Sequence, residues 1–93
     1  MMTLDTRLHI PSYVVFTYAD QDAVLLNTRT NYYYSLDEVG ARLWSLLNDG
    51  KQLMESYQAL LEEYEVEPAQ LEQDLLELVS GLVENGLVEI AQG

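Results

Sequence analysis

The sequence predicts an α+β fold in which a three-stranded antiparallel β-meander is followed by three helices. Two observations predict it. The spacing of apolar residues changes from alternation to a period of about 3.6 near Ser35, and Gly50 and Gly86 each follow an apolar stripe of helical spacing, as glycines do after helices. The 93 residues are expected to form one domain over residues 1–93, with residues 1–11 loose.

Three segments in the first part of the chain are rich in the aromatic and β-branched residues that strands favour. They are residues 13–18, 23–28 and 31–36. Turn-forming residues separate the first two, and a short polar connection ends at Asn31, which tolerates left-handed backbone geometry. Connections this short imply antiparallel pairing. The third strand then forms an edge of the sheet, where free N–H and C=O groups can pair with an added strand.

The first helix is predicted to begin where the alternation ends. Ser35 and Glu38 fit the spacing of a capping box. The apolar stripe that follows extends to Leu47 and includes Trp44, which is therefore expected to be buried. Gly50 is suited to the position just after the last helical turn.

A second helix is predicted over residues 52–64, and a third begins at Pro68, a residue favoured in the first helical turn. The third helix continues to about residue 85, and residues 87–90 form a short apolar tail that is able to make a brief strand. The third helix has an apolar arc of roughly 160°, wider than the roughly 100° that a core-facing stripe needs. Either two neighbouring elements cover this arc, or part of it lines a groove for a partner.

Three consecutive tyrosines lie on the third strand. Because adjacent strand residues face opposite sides, either Tyr32 and Tyr34 face the core and Tyr33 faces outward, or the reverse holds. In either case one aromatic face is left for solvent or for a partner. High β-propensity and core packing are the alternative explanation for the three tyrosines.

The chain is strongly acidic, with sixteen Asp and Glu residues against four Lys and Arg, for a net charge of −12. No basic residue follows Lys51. Because nucleic acids and anionic membranes bind through Lys and Arg, the composition argues against both as partners. The acids either keep a small protein soluble or steer a neutral or basic partner toward it.

Neither export nor catalysis is predicted. No apolar run approaches the roughly 20 residues of a membrane span, and the N-terminal segment has no signal-peptide core, so a cytoplasmic protein is expected. The sequence has no cysteine and one histidine, His9, which leaves no nucleophile paired with a base. Asp20 and Asp22 lack the spacing of a calcium loop. We therefore expect no catalytic residue, no metal and no cofactor.

Several short segments, in order and spacing, resemble one known family. They are residues 23–28, 33–37, 40–44 and 48–50, then Val66, Leu71, Asp74, Leu75, Leu78 and Leu82, and finally residues 86–88. They resemble the PqqD-like domains, which are the peptide-recognition elements of pathways that make ribosomal, modified natural products. The likeness extends from about Tyr13 to Ile90. Among these domains, the chain most resembles the stand-alone recognition subunit of split lasso-peptide leader peptidases.

The resemblance implies a fold related to the winged helix-turn-helix and a peptide-binding function. In the family, the leader segment of a precursor peptide adds as a strand to the third strand and packs against the third helix. The implied partners are this leader, a separate leader peptidase and a cyclase. The implied peptide-binding residues are Asn31, Tyr32, Tyr33, Tyr34 and Ser35 on the strand and Leu75, Leu76, Val79 and Val83 on the helix. Val79 is expected to face solvent until a peptide binds.

Two other functions are compatible with parts of the pattern. A winged-helix transcription factor has similar topology, but its recognition helix needs basic residues, and the third helix here carries Glu72, Asp74, Glu77 and Glu84 instead. An acidic inhibitor or chaperone that covers a basic protein surface needs no peptide groove.

Overall fold

The computed structural model describes residues 2–91 and confirms the predicted α+β fold. Its elements in chain order are β1 (Leu8–His9), β2 (Val14–Ala19), β3 (Asp22–Asn27), β4 (Tyr32–Leu36), α1 (Glu38–Asn48), α2 (Leu53–Glu63), α3 (Pro68–Glu84) and β5 (Glu89–Ile90). Strands β2, β3 and β4 form one antiparallel sheet in that order, which is the predicted meander. β1 pairs with β5 in a separate two-stranded sheet.

The register of the main sheet decides which way the tyrosines face. Leu25 of β3 lies opposite Tyr34, and both are on the side of the sheet that faces the helices. Tyr33 lies opposite Leu26 on the other side and is 66% exposed. Of the two arrangements left open by the sequence, the one with Tyr34 inward and Tyr33 outward is therefore correct.

The start of α1 differs from the prediction. Asp37, not Ser35, caps the helix, and its Oδ1 accepts a hydrogen bond from the backbone N–H of Gly40 at 2.9 Å. The chain stays extended through Leu36 because that residue is buried on the sheet opposite Ala23. The capping box predicted from Ser35 and Glu38 is therefore wrong.

The predicted turn and helix ends are confirmed by the backbone. Asn31, Gly50 and Gly86 have φ values of 62°, 94° and 71°, so each occupies the left-handed region. Beyond α1 and α3 the chain forms the backward hydrogen bonds that end helices: Lys51 donates to the carbonyl of Leu46, and Leu87 to that of Leu82.

The core has two connected parts. The helical part lies among α1, α2 and α3 and includes Leu43, Leu60, Leu75 and Val79. The sheet part includes Leu25, Leu36, Trp44, Leu82 and Leu87. Trp44 has no exposed surface, as predicted. It packs edge-to-face on Phe16, with ring centroids 5.6 Å apart. Because α1 and α3 contribute to both parts, they fix the sheet against the helices.

Residues 2–11 are packed rather than loose, which corrects the sequence prediction for this segment. Leu4 is 6% exposed within the helical core, and Leu8 pairs with Ile90. The carbonyl of Arg7 also accepts a hydrogen bond from the backbone N–H of Ala91 at 2.8 Å. A strand of two residues leaves little periodic signal, and its partner lies at the far end of the chain.

Candidate functional site

A groove of about 490 Å³ lies between the free edge of β4 and the N-terminal half of α3. Its lining comes from four parts of the chain: β4, the start of α1, the α2–α3 connection and α3. The lining residues are Tyr34, Ser35, Leu36, Asp37, Val39, Gly40, Val66, Gln70, Leu71, Asp74, Leu75 and Leu78.

One wall of the groove is a strand edge. β4 pairs only with β3, so its other side has no strand partner within residues 2–91. In an antiparallel strand every second residue directs its N–H and C=O away from the paired neighbour. This edge can therefore accept a further strand through backbone hydrogen bonds, whatever the side chains of that strand.

The opposite wall is a face of α3. Leu71, Leu75 and Leu78 recur at the spacing of one helical turn, so they share a face. Leu71 and Leu75 are 5% and 1% exposed and form the buried base of this apolar wall. At the rim, the side-chain amide of Gln70 donates a hydrogen bond to Oδ1 of Asp74 at 2.8 Å.

Tyr34 reaches from β4 to α3. Its hydroxyl lies against Gly81 of α3, where an added Cβ would be 3.3 Å from the hydroxyl oxygen. An alanine Cβ at Gly81 would require this hydroxyl to move by a few tenths of an ångström. Gly81 therefore allows the close approach of α3 to the sheet.

Four of the five predicted strand residues lie on β4, and two of those four line the groove. Tyr34 and Ser35 line it. Tyr32 lies beside Tyr34 with ring centroids 6.3 Å apart, whereas Tyr33 is on the outer face of the sheet. Asn31 is exposed in the turn before the strand.

Of the four predicted helix residues, only Leu75 lines the groove. Val79 has no exposed surface, so the expectation that it faces solvent is wrong. Val83 is partly buried and packs against both parts of the core. Leu76 lies on the outer surface of α3, beside Glu72 and Glu77. Neighbouring elements therefore cover most of the wide apolar arc of α3. This is the first of the two interpretations that the sequence left open.

Eight side chains of the groove were not among the predicted site residues: Leu36, Asp37, Val39, Val66, Gln70, Leu71, Asp74 and Leu78. Residues 71, 74, 75 and 78 share a helix face, but the sequence alone does not show that this face turns toward β4. Val39 and Val66 had no comparable signal. They come from a helix start and a loop that only the tertiary fold brings to the groove.

The perturbed titratable groups lie away from the groove, on the side of α1 and α2. Arg42 forms a bidentate ion pair with Glu63, with nitrogen–oxygen distances of 2.8 and 2.9 Å. This hydrogen bond lowers the pKa of Glu63 and raises that of Arg42. Burial and a hydrogen bond to Glu38 raise the pKa of Tyr64. None of these three groups, Arg42, Glu63 and Tyr64, lines the groove.

The chemistry available in the groove is that of binding. Its lining offers strand-edge backbone groups, apolar side chains and two carboxylates, and it contains no histidine. Within residues 2–91, no three His, Asp or Glu side chains lie close enough together to hold a metal ion. None of the helices in that part of the chain has the length and apolarity needed to cross a membrane.

The structure is that of a small α+β domain with a free strand edge beside a helix-walled groove. The family model described as coenzyme PQQ synthesis protein D (PqqD) matches residues 22–88, which include all of β3, β4 and the three helices. The chain therefore belongs to the PqqD family and is a PqqD-like recognition element.

Two solved structures are similar over nearly their whole length. One is TbiB1 in complex with the TbiA(beta) leader peptide, with 37% identity and a TM-score of 0.83 over 90% of this chain and 98% of that one. The other is a lasso peptide synthetase B1 complexed with the leader peptide, with 31% identity and a TM-score of 0.78 over 89% and 98%. No curated protein sequence matches the chain.

Proposed function

We propose that this protein binds the leader segment of a ribosomally made precursor peptide by adding it as a strand to β4, and that it presents the precursor to separate processing enzymes. The observation that carries the proposal is the position of the free β4 edge directly beside the groove walled by α3. Both similar structures named above are complexes with a leader peptide, which supports the same kind of ligand here.

The groove supports a division of tasks between backbone and side chains. Hydrogen bonds to the β4 edge would hold the leader extended and set its register. Leader side chains on the groove side would then pack on Leu71, Leu75 and Leu78, and burial of one large apolar side chain contributes about 1.5–3 kcal/mol. Recognition therefore depends on a few apolar anchors rather than on a long exact sequence.

The enzymes that act on the bound precursor are proposed as a separate leader peptidase and a cyclase of a lasso-peptide pathway. The chain itself is proposed to perform no chemistry, because neither hydroxyl of the groove, on Tyr34 and Ser35, is hydrogen-bonded to a side chain of residues 2–91 that could act as its base. The likeness to a lasso peptide synthetase B1 favours this pathway over others that use PqqD-like domains.

Backbone pairing is tested with synthetic versions of a leader peptide that binds this protein. N-methylation at alternate residues, one set at a time, removes the N–H groups that point to one side of the bound strand. One set should abolish binding in calorimetric titration, and the other should have little effect. Equal, small effects of both sets would contradict strand addition.

Amide hydrogen exchange then locates the site. Leader binding should protect backbone amides of β4, while those of β2, the other edge of the same sheet, keep their exchange rates. Protection at β2 instead of β4 would show that the leader pairs with the other edge of the sheet, and it would contradict the proposal.

A further inference from the structure

The groove combines apolar walls with uncompensated negative charge. Asp37 and Asp74 both line it, and no lining residue is basic. In the described part of the chain the one ion pair joins Arg42 to Glu63, neither of which lines the groove. An occupant therefore meets carboxylates that no cation of the described chain neutralises.

The two carboxylates are not equivalent. Asp37 caps α1, where its Oδ1 accepts the N–H of Gly40 and the helix N-terminus already favours its charge. Asp74 is in the body of α3 and is exposed, and its hydrogen-bond partner in the described chain is the neutral amide of Gln70. A neutral donor leaves the charge of Asp74 in place, so Asp74 is the carboxylate more available to a cation.

Asp74 also lies within one helical turn of the apolar wall, between Leu71 and Leu78. One turn of a helix rises about 5.4 Å, and side chains i and i+2 of a strand are about 6.6 Å apart on the same face. An extended peptide can therefore place an apolar side chain against the wall and a cationic one at Asp74, two positions to either side of it in its own sequence.

We propose that the groove selects peptides that carry a Lys or Arg two residues before or two residues after an apolar anchor, with Asp74 as the residue that recognises the cation. The inference rests on the proposed peptide-binding function and specifies its substrate class. The net charge of −12 adds long-range attraction for such a peptide, but it does not choose the position of the basic residue.

The test is selection from a displayed library of random peptides against the intact protein and four variants. Asp74→Asn removes the charge and Asp74→Lys reverses it. Glu72→Gln and Glu77→Gln are matched controls, because these residues lie on the outer surface of α3, away from the groove. Melting curves verify that all five proteins are folded, as expected for substitutions at exposed positions.

The unmodified protein should enrich a basic residue at one of the stated spacings from an apolar anchor. Asp74→Asn should keep the anchor and lose the basic preference, Asp74→Lys should favour Asp or Glu at that position, and both controls should behave like the unmodified protein. Affinity of a selected basic peptide should fall roughly two- to fivefold in Asp74→Asn, the range of an exposed ion pair.

Two results overturn the inference, and they differ in what they imply for the proposed function. Peptides with an apolar anchor and no basic preference, or a basic preference that persists in Asp74→Asn, would reject recognition by Asp74 and leave peptide binding intact. Failure of the unmodified protein to retain any peptide would reject both.

Discussion

The carbonyl oxygen of Gly86 accepts a hydrogen bond from the side-chain amide of Asn27 at 3.2 Å, across the junction between the sheet and the end of α3. The same amide nitrogen donates to the carbonyl of Asn85, and Oδ1 of Asn27 accepts from the backbone N–H of Arg29 at 2.9 Å. Asn27 is only 3% exposed. One buried side chain thus joins the turn before β4 to the end of the helix that walls the groove.

This relationship predicts unequal costs for two glycine substitutions. Gly86→Ala and Gly50→Ala each place a Cβ in the left-handed region, which costs roughly 1–2 kcal/mol. At Gly50 the added Cβ meets nothing within 4 Å, whereas at Gly86 it would lie 2.6 Å from Nδ2 of Asn27. Denaturant unfolding should therefore show the larger loss of stability for Gly86→Ala. Equal losses would mean that the contact with Asn27 adds no strain.

Val79→Asp is predicted to unfold the protein. Val79 has no exposed surface in the helical core, so the substitution would bury an unpaired charge. Ser80→Asp, at the next and exposed residue of α3, is the control and should change the unfolding free energy by no more than about 0.5 kcal/mol. Melting curves compare the two, and a normal melting temperature for Val79→Asp would contradict the packing of α3.

Val66→Asp is predicted to weaken leader binding without loss of stability. Val66 lines the groove and is 41% exposed, so the free protein can keep an aspartate there hydrated. A bound leader would desolvate that charge, and an affinity loss of tenfold or more, about 1.4 kcal/mol, is expected in calorimetric titration. Ile90→Asp, 44% exposed and outside the groove, should leave affinity unchanged. Equal losses in both variants would point to a general charge effect.

The Arg42–Glu63 pair is predicted to make a small, pH-dependent contribution to stability. Both side chains are more than a third exposed, so the pair contributes roughly 0.2–1 kcal/mol. The pKa of Glu63 is lowered on folding by the hydrogen bond from Arg42. The contribution is therefore complete above the unfolded pKa of Glu63 and is lost as pH falls through the folded pKa.

The measurement compares the unfolding free energy of Glu63→Gln with that of the unmodified protein across this acidic range. The difference should be greatest near neutral pH and shrink toward zero in acid. The neighbouring Glu62→Gln is the control, since Glu62 is in no ion pair within residues 2–91. A difference that does not depend on pH would show that the ion pair is not its source.

The excess of acids predicts salt-dependent association with a basic leader. Surface charges are screened beyond about 10 Å at 0.1 M salt, so the association rate should fall as ionic strength rises. Dissociation should change less, because apolar contacts hold the complex. Stopped-flow measurements separate the two rates. An association rate independent of salt would leave the acids a role in solubility alone.

Local signals predicted much of the fold. The change of period near Ser35, the left-handed positions at Asn31, Gly50 and Gly86, and the edge position of the third strand all appear in the structure. Each of these features is determined by residues close together in the sequence or by a short connection, so it can be predicted without knowledge of the tertiary structure.

The groove face of α3 was not predicted, for a physical reason. Apolar residues surround so much of this helix that periodicity alone does not distinguish the side against α1 and α2 from the side toward β4. The side toward the sheet is the one that carries Gly81, which lies against Tyr34, and that contact joins residues far apart in the sequence. Asp37 was likewise missed as the cap of α1 because burial of Leu36 extends the preceding strand.

The pairing of β1 with β5 places Leu8 opposite Ile90 and His9 opposite Glu89. This pairing ties the segment before β2 to the segment after α3, so the two lie together at one place in the fold. No residue of β1 or β5 lines the groove beside β4. An enzyme fused to the chain beside β1 or β5 would therefore be tethered to the recognition element, while the β4 edge stays open for a peptide.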